Sequence, residues 1–215
     1  MNDQSALRGL YAITDPSLCP DEQLTAQVRE ALEGGTRVIQ YRDKRNDREI
    51  RHSLADQLLI LCRRYGALLI INDDVTLAAE IGAHGVHLGR DDAELSQARR
   101  ALGRQAVIGV SCYNRPDLAL TAAKNGADYV AFGRFFPSQT KPNAVQAAPD
   151  LLREAKRTID LPLVAIGGIT PENGAPLIEA GADMLAVVHG VFGQADIRSA
   201  CRLLTNLFEP KENTT

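Results

Sequence analysis

The stretch Gly126-Ala127-Asp128-Tyr129-Val130 is one of four similar turns, in which a glycine follows a helical pattern and precedes an apolar run. The other three begin at Gly35, Gly82 and Gly181. Glycine just past a helix end adopts the left-handed conformation that satisfies the last carbonyl groups, and the chain then enters a strand. The four glycines therefore predict four corners at which a helix passes into a strand.

Further β-rich runs lie between these corners and bring the number of predicted strands to eight. They cover residues 9–14, 68–72, 107–111 and 162–166. The interleaved segments have helical spacing and start near residues that favour a first turn, as in residues 21–33, 47–65, 115–124 and 171–180. Strands that alternate with helices favour a parallel sheet covered by helices. Eight such units in 215 residues predict an α/β fold, a single-domain (β/α)8 TIM barrel.

An open doubly wound sheet is the alternative fold for this alternation. It would need a glycine-rich phosphate loop after the first strand, and Thr14-Asp15-Pro16-Ser17 is not one. The sequence has no linker, low-complexity tract or second domain, so residues 1–215 are expected to form one domain. The polar residues 209–215 are expected to be a frayed tail.

Charge and cysteine content exclude several classes of protein. The formal net charge of −3 and the pI near 5.8 give no general attraction to nucleic acid or to an anionic membrane. No stretch reaches the roughly 18 apolar residues that a membrane span needs, and the first residues are expected to belong to the mature protein. Four cysteines without a C-x-x-C pair suit a reducing cytoplasm. Cys62 and Cys201 are expected in the core, and a catalytic Cys112 is disfavoured because no histidine follows nearby.

The end of the second predicted strand carries two closely spaced cations. In a TIM barrel, the chemistry takes place where the strands end. This strand ends in Gln40-Tyr41-Arg42-Asp43-Lys44, and strand alternation turns Gln40, Arg42 and Lys44 to one side. Two cations at this spacing repel unless an anion lies between them, so the pattern indicates an anion site. A solvated strand end is the alternative.

Carboxylates follow the next two predicted strands. Asn72-Asp73-Asp74 comes after the third strand, and Arg90-Asp91-Asp92 comes after the fourth. Carboxylates on adjacent strands can share a hard cation, and Mg2+ takes one or two carboxylates together with water and phosphate. These residues predict a magnesium site, with helix capping by Asp74 or Asp92 as the alternative. His87 lies within the fourth strand and is expected to be a hydrogen-bonded core residue.

The remaining strand ends predict a place for phosphate. The fifth strand ends at Ser111, and residues 134–142 after the sixth strand contain hydroxyl groups, a lysine and two prolines that suit an oxyanion clamp. Strands 7 and 8 end in glycine-containing turns, at Gly167-Gly168 and at His189-Gly190, where such barrels usually bind phosphate. Two phosphorylated ligands are implied. The sequence shows no Cys–His or Ser–His–Asp set, which disfavours covalent chemistry.

Six motifs follow one another in chain order, each at a predicted strand end. They are Gln40-x-Arg42-x-Lys44, Ile71-Asn72-Asp73, Gly85-Val86-His87-Leu88-Gly89 with Asp92, Gly109-Val110-Ser111, Phe136-Pro137-Ser138-Gln139-Thr140-Lys141 and Ala165-Ile166-Gly167-Gly168-Ile169. Together they resemble the thiamine phosphate synthase family over nearly the whole barrel. The resemblance implies Mg2+-assisted condensation of 4-amino-2-methyl-5-hydroxymethylpyrimidine diphosphate with 4-methyl-5-hydroxyethylthiazole phosphate, which gives thiamine phosphate and pyrophosphate by a dissociative substitution.

The resemblance also implies roles for individual residues. The pyrimidine diphosphate would be held by Gln40, Tyr41, Arg42, Asp43, Lys44, Asn72, Ser111 and Lys141. Four of these would also act in catalysis, namely Arg42, Lys44, Ser111 and Lys141. The thiazole phosphate would be held by Ser138, Gln139, Thr140, Gly168, Val188 and His189, and Mg2+ by Asp73 and Asp92.

Four places depart from the commonest family pattern. Arg90 stands where glutamine is usual, and Ser138 stands where threonine is usual. Cys112-Tyr113 follows Ser111, where a small residue and a histidine are often found. His189 stands where serine is usual. Ser138 retains a hydroxyl group. At His189 a backbone N–H contact to phosphate remains available, whereas the side chain has changed.

Two rival functions remain open. A thiazole tautomerase is a related barrel that needs a proton carrier after the sixth strand, where Arg134 stands in this sequence. A non-catalytic regulatory barrel would bind thiazole phosphate without needing the pair Asp73 and Asp92. A homo-oligomer is also open, since barrels often associate.

Overall fold

A computed structural model describes residues 7–89, 94–137 and 145–209. Eight parallel strands form a closed barrel in chain order, and β1 pairs with β8 to complete it. The strands are β1 (Gly9–Ile13), β2 (Val38–Tyr41), β3 (Leu68–Asn72), β4 (Gly85–Leu88), β5 (Val107–Tyr113), β6 (Tyr129–Gly133), β7 (Leu163–Ile166) and β8 (Met184–Val187). This confirms the predicted (β/α)8 barrel. The predicted frayed tail lies outside the described residues, except for Glu209.

Helices lie in the connections between the strands, and the last two follow β8. They are α1 (Asp21–Glu33), α2 (Arg48–Arg64), α3 (Val75–Ile81), α4 (Leu95–Leu102), α5 (Pro116–Lys124), α6 (Asp150–Thr158), α7 (Ala175–Glu179), α8 (His189–Phe192) and α9 (Ile197–Asn206). Asp47 caps α2 by accepting from the Ile50 backbone N–H at 3.0 Å, as expected for a helix start. Within the described part of the chain, no helix is long and apolar enough to cross a membrane.

Two predicted boundaries were wrong by two residues or more, and several others differ by one residue. Helix α7 begins at Ala175 instead of residue 171, because Asn173 accepts from the Thr170 backbone N–H at 2.8 Å and holds the preceding residues in a turn. Strand β5 continues to Tyr113, two residues past its predicted end, with a shift in register between Ser111 and Tyr113. A bulge of this kind adds a residue to one strand and bends it.

The four corner glycines adopt the conformation that the sequence predicts. Gly35, Gly82, Gly126 and Gly181 have φ values of 95°, 65°, 89° and 112°. A side chain would strain the backbone in this left-handed region. The glycines therefore let each helix pass into the next strand across only three or four intervening residues.

Three of these corners contain a paired contact that the sequence did not reveal. The third residue of the turn makes two hydrogen bonds to one residue near the start of the preceding strand. Its backbone N–H donates to the carbonyl of that strand residue, and its side chain accepts from the backbone N–H of that strand residue. We call these pairs of hydrogen bonds corner clasps. They join His84 to Leu69, Asp128 to Ile108 and Asp183 to Leu163. Each clasp links an odd-numbered strand to the even-numbered strand that follows it.

The clasp at His84 is expected to make stability depend on pH. Burial, aided by the nearby charge of Arg63, lowers the pKa of His84 below its usual value of 6.5. The unfolded chain then binds more protons than the folded chain as the pH falls through 6.5, so the free energy of unfolding decreases on acidification. His84→Asp supplies the acceptor used at the other two clasps and should flatten this slope between about pH 5 and 7. Urea unfolding of the unaltered protein and of His84→Asp across that pH range would measure the slope of the free energy of unfolding. Identical slopes would contradict the assignment of the pH dependence to His84.

Apolar side chains fill two regions on either side of the barrel wall. The larger region lies between the strands and the helices and includes Leu10, Ile39 and Leu58. The smaller region lies inside the barrel and includes Tyr11 and Met184. Successive residues of each strand face opposite sides of the barrel wall, and both sides are covered by other parts of the protein. The strand sequences are therefore nearly continuous apolar runs.

The cysteines have the structural role that the sequence predicts. Cys62 and Cys201 are fully buried in the outer core. Cys112 is also buried there, and burial raises the pKa of its thiol to about 12. Because the thiolate is the nucleophile, this environment disfavours a catalytic Cys112.

Candidate active site

A polar cleft lies at the carboxyl ends of β2 and β3, on the face where barrels of this kind carry their chemistry. It has a volume of about 400 Å3. We call it the rim cleft, and it is lined by Asp43, Lys44, Asn46, Arg51, Asn72, Asp73 and Asp74. The sequence-predicted residues Lys44, Asn72 and Asp73 are thus brought together.

The two cations after β2 each have a carboxylate from a neighbouring strand end. Arg42 Nη1 lies 3.7 Å from Asp15 Oδ2, and Lys44 Nζ lies 2.9 Å from Asp73 Oδ2. Burial raises the pKa of Asp15, but hydrogen bonds from Ser17 and the charges of Arg42 and Arg45 outweigh it, so the pKa is lowered. The sequence predicted one anion between the two cations. In the structure, each cation has a carboxylate beside it, from the loops on either side of β2, and the anion site stays a prediction.

The Tyr41 side chain does not line the rim cleft, and its predicted place among the substrate-binding residues stays a prediction. Strand alternation turns it opposite to Gln40 and Arg42, into the core between the barrel and the helices. Its hydroxyl donates to Asp43 Oδ2 at 3.2 Å. Asp43 lines the rim cleft, but it also accepts from Arg45 N at 2.8 Å and therefore helps to shape the loop.

The two aspartates after β3 have different environments. Asp74 caps α3 by accepting from Leu77 N at 2.9 Å and forms an ion pair with Arg51 at 3.0 Å, so the capping alternative holds for this residue. Asp73 has a left-handed backbone with φ of 64°, and its N–H donates to the His87 carbonyl at 2.9 Å. This conformation leaves the Asp73 carboxylate at the rim, where it contacts Lys44.

The second predicted magnesium ligand, Asp92, lies outside the described residues, as does Arg90. Across residues 7–89, 94–137 and 145–209, no group of three or more His, Cys, Asp or Glu side chains could hold a metal ion. Asp73 is therefore the predicted magnesium ligand that the structure describes.

A continuous line of hydrogen-bonded side chains lies inside the barrel. Gln40 Nε2 donates to Tyr11 OH at 2.6 Å, and this hydroxyl lies 2.8 Å from Tyr129 OH. Tyr129 OH lies 3.0 Å from His87 Nδ1, and His87 Nε2 lies 2.8 Å from Ser111 Oγ. We call these five residues the inner polar chain. It confirms His87 as a hydrogen-bonded core residue and connects two predicted substrate contacts, Gln40 and Ser111.

Packing holds the centre of the inner polar chain in place. The Tyr129 and His87 rings stack with centroids 5.6 Å apart, and Tyr11 meets Tyr129 edge-on at 6.0 Å. Gly109 makes room for this arrangement, because a Cβ there would lie 1.9 Å from the Tyr129 ring. Sequence reasoning missed both tyrosines. The available signal was their position in predicted strands 1 and 6, three and four residues before the strand ends.

On the other side of the rim, the backbone after β6 packs closely against the glycine turn after β7. Phe136 N donates to the Gly167 carbonyl at 3.0 Å. Gly168 has φ of 63°, and a Cβ there would lie 2.2 Å from the Pro137 carbonyl oxygen. This approach requires glycine at the predicted phosphate-binding position.

The rest of the predicted phosphate site is described only in part. Val188 precedes α8, and His189 is its first residue, with an exposed side chain. The predicted residues of the β6 loop lie outside the described part of the chain, namely Ser138, Gln139, Thr140 and Lys141. Gly168, Val188 and His189 thus belong to the same barrel face as the rim cleft, since all eight strands are parallel.

A closed barrel of eight parallel strands, with cations and carboxylates at its carboxyl-terminal rim, has the architecture of the (β/α)8-barrel enzymes. The family model for thiamine monophosphate synthase matches residues 10–191. The chain belongs to this family.

Individual relatives agree with this assignment. The thiamine-phosphate synthase of Nitrosococcus oceani is 55% identical over 196 residues, which cover 91% of this chain and 90% of that protein. That of Thioalkalivibrio sulfidiphilus is 52% identical over 203 residues, covering 94% and 96%. A solved structure of thiamine phosphate pyrophosphorylase from Pyrococcus furiosus matches with a TM-score of 0.86 at 35% identity, over 96% of this chain and 97% of that one.

Proposed function

We propose that this protein joins 4-amino-2-methyl-5-hydroxymethylpyrimidine diphosphate to 4-methyl-5-hydroxyethylthiazole phosphate, giving thiamine phosphate and pyrophosphate. The family membership suggests this reaction, and the structural observation that supports it most directly is the rim cleft. Lys44 lines this cleft and Arg42 precedes it by two residues at the end of β2, and each stands beside a carboxylate that a diphosphate can replace. The same face has the glycine turn that suits a single phosphate.

The contact between Lys44 and Asp73 is suited to exchange. The Lys44 side chain is 61% exposed, and exposed ion pairs typically contribute about 1 kcal/mol or less. A diphosphate carries more charge than one carboxylate and can therefore recruit Lys44 at small cost. Arg42 is held closer to the barrel and is 23% exposed, so it needs less reorganisation on binding.

The reaction requires a sink for negative charge. The bond between the pyrimidine CH2 group and the diphosphate oxygen breaks, and its electron pair leaves with pyrophosphate. The lone pair of the thiazole nitrogen then forms the new C–N bond. No proton transfer is needed in these two steps, and a fixed donor to the departing charge can contribute roughly 3–4 kcal/mol. Arg42, Lys44 and Lys141 are the proposed donors, and Ser111 and Asn72 help to hold the pyrimidine diphosphate.

Asp73 fits a role in binding Mg2+. Its carboxylate lies at the rim, and a cationic group, Lys44 Nζ, already lies 2.9 Å from Oδ2. Asp92 is the second proposed ligand, and a hard cation held by two carboxylates and diphosphate oxygens matches the preferences of Mg2+. When bound, Mg2+ would neutralise charge on the departing pyrophosphate.

Gly168→Ala is expected to weaken the thiazole phosphate site. The added Cβ would collide with the Pro137 carbonyl and displace the backbone after β6. Misplacement of a binding group by about 1 Å can cost roughly 100-fold, so we expect KM for thiazole phosphate to rise between tenfold and 100-fold. Gly66→Ala is the matched control, because Gly66 has φ of 64° and no neighbour within 4 Å of an added Cβ. Steady-state kinetics with each substrate varied would measure the effect. Equal KM values for thiazole phosphate in the two variants would show that Gly168 does not belong to the thiazole phosphate site.

The direct test mixes the protein with both heterocycles, with and without Mg2+, and follows thiamine phosphate and pyrophosphate together. Equal, magnesium-dependent appearance of the two products is expected. Isomerisation of thiazole phosphate alone would favour a tautomerase, and binding without turnover would favour a regulatory barrel. A cytoplasmic location is also proposed, since it suits the free cysteines Cys19, Cys62, Cys112 and Cys201.

A further inference from the structure

The inner polar chain joins residues from five different strands beneath the rim. Its three central members are Tyr11 on β1, Tyr129 on β6 and His87 on β4. A tyrosine hydroxyl has one hydrogen to donate, and a neutral imidazole has one N–H. Such a chain has only two arrangements, because each group that accepts from one neighbour must donate to the other. The direction at Gln40 therefore determines the direction at Ser111.

The two tyrosines keep their protons. Burial raises the pKa of Tyr11, and burial together with the neighbouring Tyr11 raises the pKa of Tyr129. Both hydroxyls are therefore neutral, and each has a single hydrogen to place.

The direction follows from the Gln40 end. The amide nitrogen of Gln40 donates to Tyr11, so the Tyr11 hydrogen goes to Tyr129. The Tyr129 hydrogen then goes to His87 Nδ1, which leaves the His87 proton on Nε2. His87 Nε2 donates to Ser111 Oγ, and the hydroxyl hydrogen of Ser111 must point away from His87.

We propose that the inner polar chain runs in one direction, from Gln40 to Ser111, and holds Ser111 as a hydrogen-bond donor to an acceptor atom of the pyrimidine substrate. Tyr11, Tyr129 and His87 are then positioning residues, which act through Ser111 and do not touch the substrate. The reverse arrangement needs the Gln40 amide oxygen to face Tyr11 and would make Ser111 donate to His87. Only the identity of the acceptor rests on the proposed function, since the direction is a property of the ligand-free protein.

The direction can be measured by 15N NMR of the imidazole rings in the ligand-free protein. The two neutral tautomers give different nitrogen shifts, and His87→Gln identifies the signals of His87 by their loss. We expect neutral His87 with its proton on Nε2. A proton on Nδ1, or a charged ring at neutral pH, would overturn the proposal whether or not the protein proves to be a synthase.

The positioning role is tested by Tyr129→Phe, which keeps the ring and its stacking but removes the hydroxyl that donates to His87. We expect a mixture of His87 tautomers and a fall in kcat of about tenfold, the effect of one hydrogen bond. Tyr65→Phe is the matched control, because the Tyr65 hydroxyl contacts Glu33 at 3.2 Å on the outside of the barrel. It should leave both the tautomer and kcat unchanged.

A double-mutant cycle separates positioning from a general structural effect. In a Ser111→Ala background, Tyr129→Phe should lower kcat no further, because the hydroxyl through which it acts is already gone. An equal loss with and without Ser111 would show that Tyr129 acts by another route, and the positioning role would be rejected.

Discussion

Asp73→Asn is expected to lower magnesium-dependent kcat by about 100-fold to 1,000-fold, the range found when one fixed electrostatic contact to a developing charge is removed. Asparagine tolerates the left-handed backbone of Asp73, which has φ of 64°. The N–H of residue 73 can still donate to the His87 carbonyl. The substitution therefore removes the negative charge and leaves the loop in place. Steady-state kinetics over a range of Mg2+ concentrations would measure the loss.

Two controls make this result specific. Binding of thiazole phosphate, followed by calorimetry, should be unchanged in Asp73→Asn because the proposed thiazole phosphate site lies after β6, β7 and β8. Asp150→Asn removes one carboxylate from a side chain that is 89% exposed at the start of α6, and it should leave kcat unchanged. Full magnesium-dependent turnover in Asp73→Asn would reject the assignment of Asp73 as a metal ligand.

Gly85→Ala is expected to cause the largest loss of stability. A Cβ at Gly85 would lie 1.8 Å from the Val107 carbonyl oxygen and 2.7 Å from its carbon. Both contacts are with backbone, so β4 and β5 must separate to make room. Overpacking typically lowers the free energy of unfolding by about 1–3 kcal/mol, and this clash with backbone atoms should lie at the upper end of that range. The midpoint of urea unfolding, with a check that the slope is unchanged, would measure it.

Gly126→Ala provides the comparison for this variant. Gly126 has φ of 89°, and nothing lies within 4 Å of an added Cβ, so alanine there adds only backbone strain. A left-handed residue other than glycine costs roughly 1–2 kcal/mol. Equal losses in the two variants would show that the contact with Val107 is not the cause of the instability.

The sequence revealed the barrel because its signals are local. The glycine corners and the apolar runs between them can be recognised within a few residues, and α1 begins and ends where its pattern predicts. The ends of the strands then point to the rim, which is how Lys44, Asn72 and Asp73 were expected to meet. Those predictions depend on chain order and strand direction alone.

Other features depend on which face of a strand is turned inward and on contacts across the barrel. Tyr41 was placed with Gln40 and Arg42 because it lies between them in the sequence, although alternation turns its ring to the helices. Tyr11 and Tyr129 are 118 positions apart in the sequence and share a hydrogen bond inside the barrel. No short pattern in a single sequence records such a pairing. The bulge in β5 was missed for a similar reason, since it is defined by its pairing with β6.

The corner clasps divide the barrel into units of two strands. His84, Asp128 and Asp183 join β3 to β4, β5 to β6 and β7 to β8, and each clasp lies where the strands begin. All three are thus on the face opposite the rim cleft. New chain ends introduced between two such units would leave every clasp intact, whereas ends placed within a unit would separate its partners. These three strand pairs are thus each fastened at the base of the barrel, independently of the loops that form the rim.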